Sequence, residues 1–347
     1  MKKLVKILLP FLCLNASLLS ACGSDEKIQL SFGNINATQV DDKVTTSDLD
    51  LKINNKESFL MVVGDTSCAC WSEFRPIINS YVSEKHVDCL FFKYDSFKNY
   101  TAKYGIDALK GHTSFIIYQE GNVKVQIKSN SDDKTMRDKA AFYKFMDGMV
   151  KLPKLYFISE NDYGTVTENG AIIYFERSGC DDCSYLNPTV IANYVKKHPD
   201  MNNIYVMDCQ AWKDNLDIVQ YQAKKNNYGL STTNNPDYGY DTGVFPFMSY
   251  VKAGYWLSGA VAFNDEVSKQ GNKYVITNSY YTEERLSKLD YLSKVDTKVL
   301  KGLELPACDV SDNGEWISWE KEKAVKYYEP IIDAFLDTYL PQVNYKI

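Results

Sequence analysis

Apolar residues occur along the chain in short dense runs, and the runs follow one order twice. Ser58–Gly64 is an apolar run bounded by turn residues, which predicts a buried strand. From Ser72 to Glu84, the residues Phe74, Ile77, Ile78 and Tyr81 recur on one helical face. Cys89–Tyr94 predicts another strand, and Tyr100–Leu109 a weaker helix. Ser114–Gln119 and Val123–Lys128 predict a hairpin about Glu120-Gly121-Asn122, closed by a helix over Lys134–Val150.

The second passage begins with a strand at Leu155–Ile158 and a buried strand at Ala171–Phe175. A helix over Tyr185–Lys197, a strand over Ile204–Met207 and a helix over Leu216–Lys225 come next. A hairpin pairs Phe245–Val251 with Leu257–Phe263, and Trp319–Tyr339 forms a closing helix interrupted at Pro330. Such self-similarity points to an internal duplication. The expected fold class is α/β, with two units of mixed central sheet flanked by helices. The units span 49–152 and 153–347 and meet at Leu152-Pro153-Lys154, where Pro153 disfavours helix at the preceding residue. Residues 265–316 have no counterpart in the first unit and read as a partly helical insertion, most helical over Glu283–Val295. Residues 22–48 are polar and turn-prone and read as a tether, with one early strand at Ile28–Phe32.

Composition narrows the chemistry. The formal charge is −6 with no long basic stripe, so nucleic acid is not an expected partner. His86, His112 and His198 lie far in sequence from either close cysteine pair, so no metal site is expected. No glycine-rich phosphate loop appears, and no cofactor is expected. What remains is sulfur. Cys68-Ala69-Cys70 and Cys180-Asp181-Asp182-Cys183 each follow a buried-strand run and precede a helix.

That placement resembles the thioredoxin superfamily. In the second unit Pro188 falls five residues after Cys183, where the family carries a helix-kinking proline, and Val244-Phe245-Pro246-Phe247 is similar to its cis-proline segment. The resemblance implies two thioredoxin-like domains, a cis Phe245–Pro246 bond and a redox-active Cys180–Cys183 pair faced by Pro246. The departures are Ser178-Gly179 before the pair and Asp181-Asp182 within it, in place of the family's Trp and Gly-Pro. The first unit is degenerate. Aligned on Pro76, it has Cys68 at the first Cys position, Trp71 at the second and Thr113 in place of the cis-proline.

Only a thiolate attacks a disulfide, and a helix N-terminus favours the anion. Cys180 is therefore the expected exposed attacker and Cys183 the buried resolver, with Asp181 and Asp182 opposing the thiolate by their charge. Cys68 and Cys70 are close enough in sequence to be able to close a small ring, which makes them the candidate second redox pair. Cys89 and Cys209 are expected in the core, and Cys308 has no evident partner.

The chain begins with Lys2, Lys3 and Lys6, a mostly apolar run over Leu8–Leu19, and Leu19-Ser20-Ala21-Cys22. A basic start, a short apolar region and small residues before a cut mark a secretory signal over 1–21. The ending resembles the lipobox of bacterial lipoproteins, which implies that Cys22 becomes a lipid-carrying N-terminus. The whole reading is an extracytoplasmic thiol–disulfide oxidoreductase, lipid-anchored to the bacterial cell membrane. Its expected partners are secreted or surface proteins with thiols or disulfides and an electron donor that the sequence does not name. The alternatives are a binding or accessory lipoprotein on the same scaffold and a copper-handling protein. Cys22→Ala should move the protein from the membrane fraction to the medium or leave an unprocessed precursor. Wild-type protein recovered wholly soluble outside the cell would refute the anchor.

Overall fold

The computed structural model describes residues 26–129, 134–305 and 321–345. The signal segment, Cys22, Cys308 and the end of the insertion lie outside the described residues. Among the described residues, no helix is long and apolar enough to cross a membrane.

The first half opens with β1 (Ile28–Gln29), β2 (Phe32–Asn34) and α1 (Thr46–Asn54). Thr45 and Asp48 form a capping box that starts α1. β3 (Leu60–Gly64), α2 (Ala69–Lys85), β4 (Cys89–Lys93) and a single helical turn, α3 (Tyr94–Phe97), follow. β5 (Thr113–Gln119) and β6 (Asn122–Lys128) form the hairpin, and α4 (Lys139–Met149) and β7 (Val150–Lys151) close the half. The sheet order is β4-β3-β5-β6, with β3 parallel to β4 and antiparallel to β5. Parallel neighbours need a long crossover, and the 17 residues of α2 supply it.

The second half repeats the plan. Its elements are β8 (Leu155–Phe157), α5 (Glu160–Thr167), β9 (Ala171–Glu176), α6 (Asp181–Leu186), α7 (Ala192–Lys197) and β10 (Ile204–Asp208). A π-helical turn at Asn187–Ile191 joins α6 to α7. α8 (Gln210–Asn215), α9 (Ile218–Asn227), β11 (Phe247–Lys252) and β12 (Tyr255–Val261) come next. The sheet order is β12-β11-β9-β10-β8-β2, with β9, β10, β8 and β2 mutually parallel where paired and β11 antiparallel to β9. Both halves are thus thioredoxin-like: strand, Cys turn, helix, strand, helix, hairpin, helix. β3 and β9 are buried at every position. Each fully buried aliphatic or aromatic side chain contributes about 1.5–3 kcal/mol, so these two strands anchor the two cores.

Several sequence expectations are corrected. The stretch read as a tether is built into the fold: β1 pairs with β7, and β2 pairs with β8 as an edge strand of the second sheet. The helix expected over Tyr100–Leu109 is a run of turns containing Gly105 at φ +66°, and the helical turn comes earlier, at α3. α4 starts at Lys139, where the Asp138 side chain accepts from Ala141 N at 2.8 Å. Pro330 lies inside α12 (Lys321–Tyr339) without ending it.

The described part of the insertion, residues 265–305, contains strands that the sequence reading did not expect. β13 (Asp265–Gln270), β14 (Lys273–Asn278) and β15 (Leu303–Leu305) make an antiparallel sheet. The insertion is also partly helical, as expected: α10 (Glu283–Leu286) and a 3-10 turn at Asp290–Lys294 lie in the stretch read as most helical, and α11 (Thr297–Leu300) follows. Buried tyrosines fasten the insertion to the second core. Tyr281 Oη donates to Val261 O at 2.9 Å, and Tyr291 Oη donates to Gly259 O at 2.9 Å.

Gly33, in β2, packs where the halves meet, and a Cβ there would lie 2.3 Å from His86 O and 2.7 Å from the Tyr156 ring. Gly33→Ala should lower the unfolding free energy by about 1–3 kcal/mol, read by urea titration of the full chain. Unchanged stability would show that β2 does not pack as described.

Candidate functional site

In the second half the buried strand β9 runs to Glu176, and the chain turns out through Arg177-Ser178-Gly179. Two contacts pin that loop to the next strand and helix. Ser178 N donates to Asp208 Oδ1 at 3.1 Å, and Gly179 N donates to Gln210 Oε1 at 3.2 Å. Cys180 is the N-cap of α6, and its own N–H donates to Arg177 O at 3.0 Å. Cys180 and Cys183 are both free thiols.

The expectation of an exposed attacker is corrected. Cys180 is only 8% exposed, though Cys183 is deeper at 1%. The electrostatics separate them further. The Cys183 thiol, donating to Cys180, and the backbone N–H groups of Cys183 and Asp182 lower the Cys180 pKa to about 6, against the cost of burial. Cys183 is pushed well up by sharing its proton with Cys180, by burial and by the negative charge of Cys180. Asp182 plays two parts: its N–H favours the thiolate, and its carboxylate, the weaker influence, opposes it. The acidic pair between the cysteines therefore does not cancel the effect of the helix N-terminus.

The Phe245–Pro246 bond is cis. β11 pairs with β9 through Phe247 opposite Phe175, so Pro246 and Phe245 continue the antiparallel register alongside Glu176 and Arg177. The Arg177 guanidinium stacks over the Phe245 ring at 5.7 Å.

In the first half the same register sets Thr113 opposite Gly64. Gly64 precedes Cys68 by four residues, as Glu176 precedes Cys180, so Thr113 holds the place of Pro246. Trp71 holds the place of Cys183 and stacks on Phe91 at 4.3 Å. Cys68 and Cys70 are joined in a disulfide. Gly111 O lies 3.0 Å from Cys68 Sγ, and Thr113 Oγ1 lies 3.4 Å from Cys70 Sγ. Asp65 ties this turn together by accepting from Ser67 Oγ at 2.6 Å, Ser67 N at 2.9 Å and Gly111 N at 3.0 Å. These donors, the Ser67 hydroxyl foremost, hold its carboxyl below the usual range. The disulfide lines a surface cleft of about 520 Å³ with His112, Lys128 and Arg137.

The sequence reading missed Glu176. It is 5% exposed, accepts from Asn187 Nδ2 at 2.8 Å, and is raised to about 8, chiefly by burial. It lines a cavity of about 150 Å³ together with Cys183, Asp208, Lys52 and Glu57. The available signal was an ionisable residue closing the apolar run Ala171–Phe175. Cys89 and Cys209 are free and buried, and burial raises the pKa of both thiols. Among the described residues, no group of three His, Cys, Asp or Glu side chains is placed to hold a metal ion.

No protein-family model and no curated protein matches this chain. Several solved structures are similar to it in part. A mutant thioredoxin from Halobacterium salinarum shares 11% identity over 38% of this chain and 98% of its own, at a TM-score of 0.25. Human ERp44 shares 11% identity over 62% of this chain and 49% of its own, at a TM-score of 0.33. A yeast mitochondrial 1-Cys peroxiredoxin structure shares 12% identity over 36% of this chain and 96% of its own, at a TM-score of 0.24.

Because only the thiolate is alkylated, iodoacetamide labelling of Cys180 should rise with pH about a midpoint near 6, while Cys183 stays unlabelled over the same range. Asp182→Asn should lower that midpoint and Cys183→Ala should raise it. A wild-type midpoint near about 8.5, the range of an ordinary thiol, would contradict this arrangement.

Proposed function

We propose that this chain, two thioredoxin-like halves in tandem, is a thiol–disulfide oxidoreductase that exchanges disulfides with secreted or surface proteins through Cys180 and Cys183. The observation that carries the reading is the division between the two sulfurs. Cys180 is held as the anion near neutral pH, and Cys183, one helical turn on, keeps its proton.

The exchange proceeds in two displacements. The Cys180 thiolate attacks one sulfur of a substrate disulfide, forms a mixed disulfide and releases the other sulfur as a thiolate. Cys183 then loses its proton and attacks Cys180, which closes the Cys180–Cys183 disulfide and releases the second substrate thiolate. The substrate gains two electrons and the protein loses two. Run backward, the same steps oxidise a dithiol. A thiol reductant outside this chain returns the pair to the dithiol.

Glu176 supports the second step. It shares a cavity with Cys183, and a carboxyl raised to about 8 becomes a proton acceptor as the pH turns mildly alkaline. A cavity of about 150 Å³ lined in part by the charged groups of Lys52, Glu57 and Asp208 has room for water to relay that proton. Leu19-Ser20-Ala21-Cys22 supports placing this chemistry outside the cytoplasm, held to the membrane by a lipid on Cys22. The Cys68–Cys70 disulfide, open to a surface cleft, supports a second exchange site in the first half.

In cells, Cys183→Ala should accumulate thiol-sensitive adducts joined through Cys180, absent from the Cys180→Ala, Cys183→Ala double variant. The soluble wild-type chain should reduce insulin, and either single variant should lose at least about 100-fold of that rate. Adducts running through Cys68 would place the active site in the first half. If nothing is trapped and insulin stays intact, a binding lipoprotein on this scaffold is the better description.

A further inference from the structure

The cavity behind Cys183 has two owners. One wall is the end of β9 and the start of α6, with Glu176, Cys183 and Asn187. The facing wall comes from the other half of the chain: Asp48 and Lys52 on α1, and Glu57 just after it. Lys52 Nζ and Glu57 Oε2 pair at 2.8 Å, and the two side chains are only 18% and 12% exposed. An ion pair at such burial is poorly screened and acts on neighbouring charges across the cavity.

We propose that the Lys52–Glu57 pair, carried by the first half, biases the charge of Glu176 in the second half and so tunes when Cys183 can give up its proton. This inference rests on the oxidoreductase reading above. Lys52 and Glu57 touch no reacting atom, so they are positioning residues for charge. Their influences are opposite: the Lys52 ammonium favours the Glu176 carboxylate, and the Glu57 carboxylate disfavours it. Asp48 and Arg177 line the same cavity, and the Tyr174 and Cys209 side chains also feel the Glu176 charge. The Asn187 amide donates to Glu176 and favours the anion, while Asp208, at the end of β10, opposes it. Cys183, on α6, has its own proton held more tightly by the Glu176 charge. Lys52 also faces Asp88, ahead of β4, whose carboxyl burial raises to about 6. Lys52 is shared among Glu57, Asp88 and Glu176, so its removal is felt at Glu176. The half without a Cys-x-x-Cys thereby enters the chemistry of the half that has one.

The test is the titration of Glu176 itself in the full chain, followed by infrared carboxyl absorption and assigned by its loss in Glu176→Gln. Lys52→Met should move the midpoint up by about one unit, and Glu57→Gln should move it down by a similar amount. The pH profile of mixed-disulfide resolution by Cys183 should follow both shifts. A midpoint fixed in both variants overturns the proposal. Opposite shifts with an unchanged resolution profile support the coupling and overturn Glu176 as the proton acceptor. If Lys52→Met does not fold, Glu57→Gln decides alone: a downward shift supports the coupling, and an unmoved midpoint overturns it.

Discussion

β9 is covered along its whole length, so the chain can only reach the surface once the strand has ended, and Cys180 lies four residues beyond that end. The rest of the site follows from this spacing. The turn is too short to wander, because Ser178 and Gly179 are held by Asp208 and Gln210. α6 must then begin at Cys180, and the N–H groups that no earlier carbonyl can accept are left for sulfur. The lowered pKa of Cys180 comes first from the Cys183 thiol, which the corner places as a donor, and then from the N–H groups of Cys183 and Asp182.

The two halves share that corner and fill it differently. Where the second half has Glu176, Cys183 and Pro246, the first has Gly64, Trp71 and Thr113. A Cβ at Gly64 would meet the Phe91 ring at 3.0 Å and the Trp71 ring at 3.5 Å. The glycine therefore belongs with the Trp71–Phe91 stack, and a carboxyl at that position would exclude it. Losing the second cysteine, losing the buried acid and gaining an aromatic stack are one packing change. Its outcome is a pair of sulfurs two residues apart, joined to each other and bounded by Gly111 and Thr113.

What could be read from the sequence was what local pattern dictates. β3, β9, their Cys turns and both hairpins announce themselves by dense apolar runs and by Gly121 and Gly254, each at positive φ in a two-residue turn. β13 escaped because Asp265–Gln270 is mostly exposed and carries Val267 as its one apolar side chain, so no alternation marks it. The one early strand read over Ile28–Phe32 is in fact two, β1 and β2, and their pairing escaped because such short strands gain their stability from partners more than a hundred residues away. Cys180 and Cys183 were legible by spacing, but the burial of Cys180 and the company kept by Glu176 are tertiary facts. Lys52 and Glu57 fall in a stretch to which the sequence assigned no element, and only the meeting of the halves gives them a charge to act on.

β2 leaves the ribosome early and finds its partner late. Residue 32 is synthesised 123 residues ahead of residue 155, with which it pairs. At roughly 5–20 residues per second, the segment waits about 6 to 25 seconds before β8 exists. During that time the first half can assemble its own sheet, with β2 held to it by the Gly33–Val87 bridge, and β8 later presents an edge that this segment completes. Translation therefore imposes an order: the second sheet closes last, onto a strand already tethered to a finished neighbour. A circularly permuted chain that begins at β8 would reverse that order, so that β2 arrives as the latecomer and the first half folds against a sheet still missing its edge.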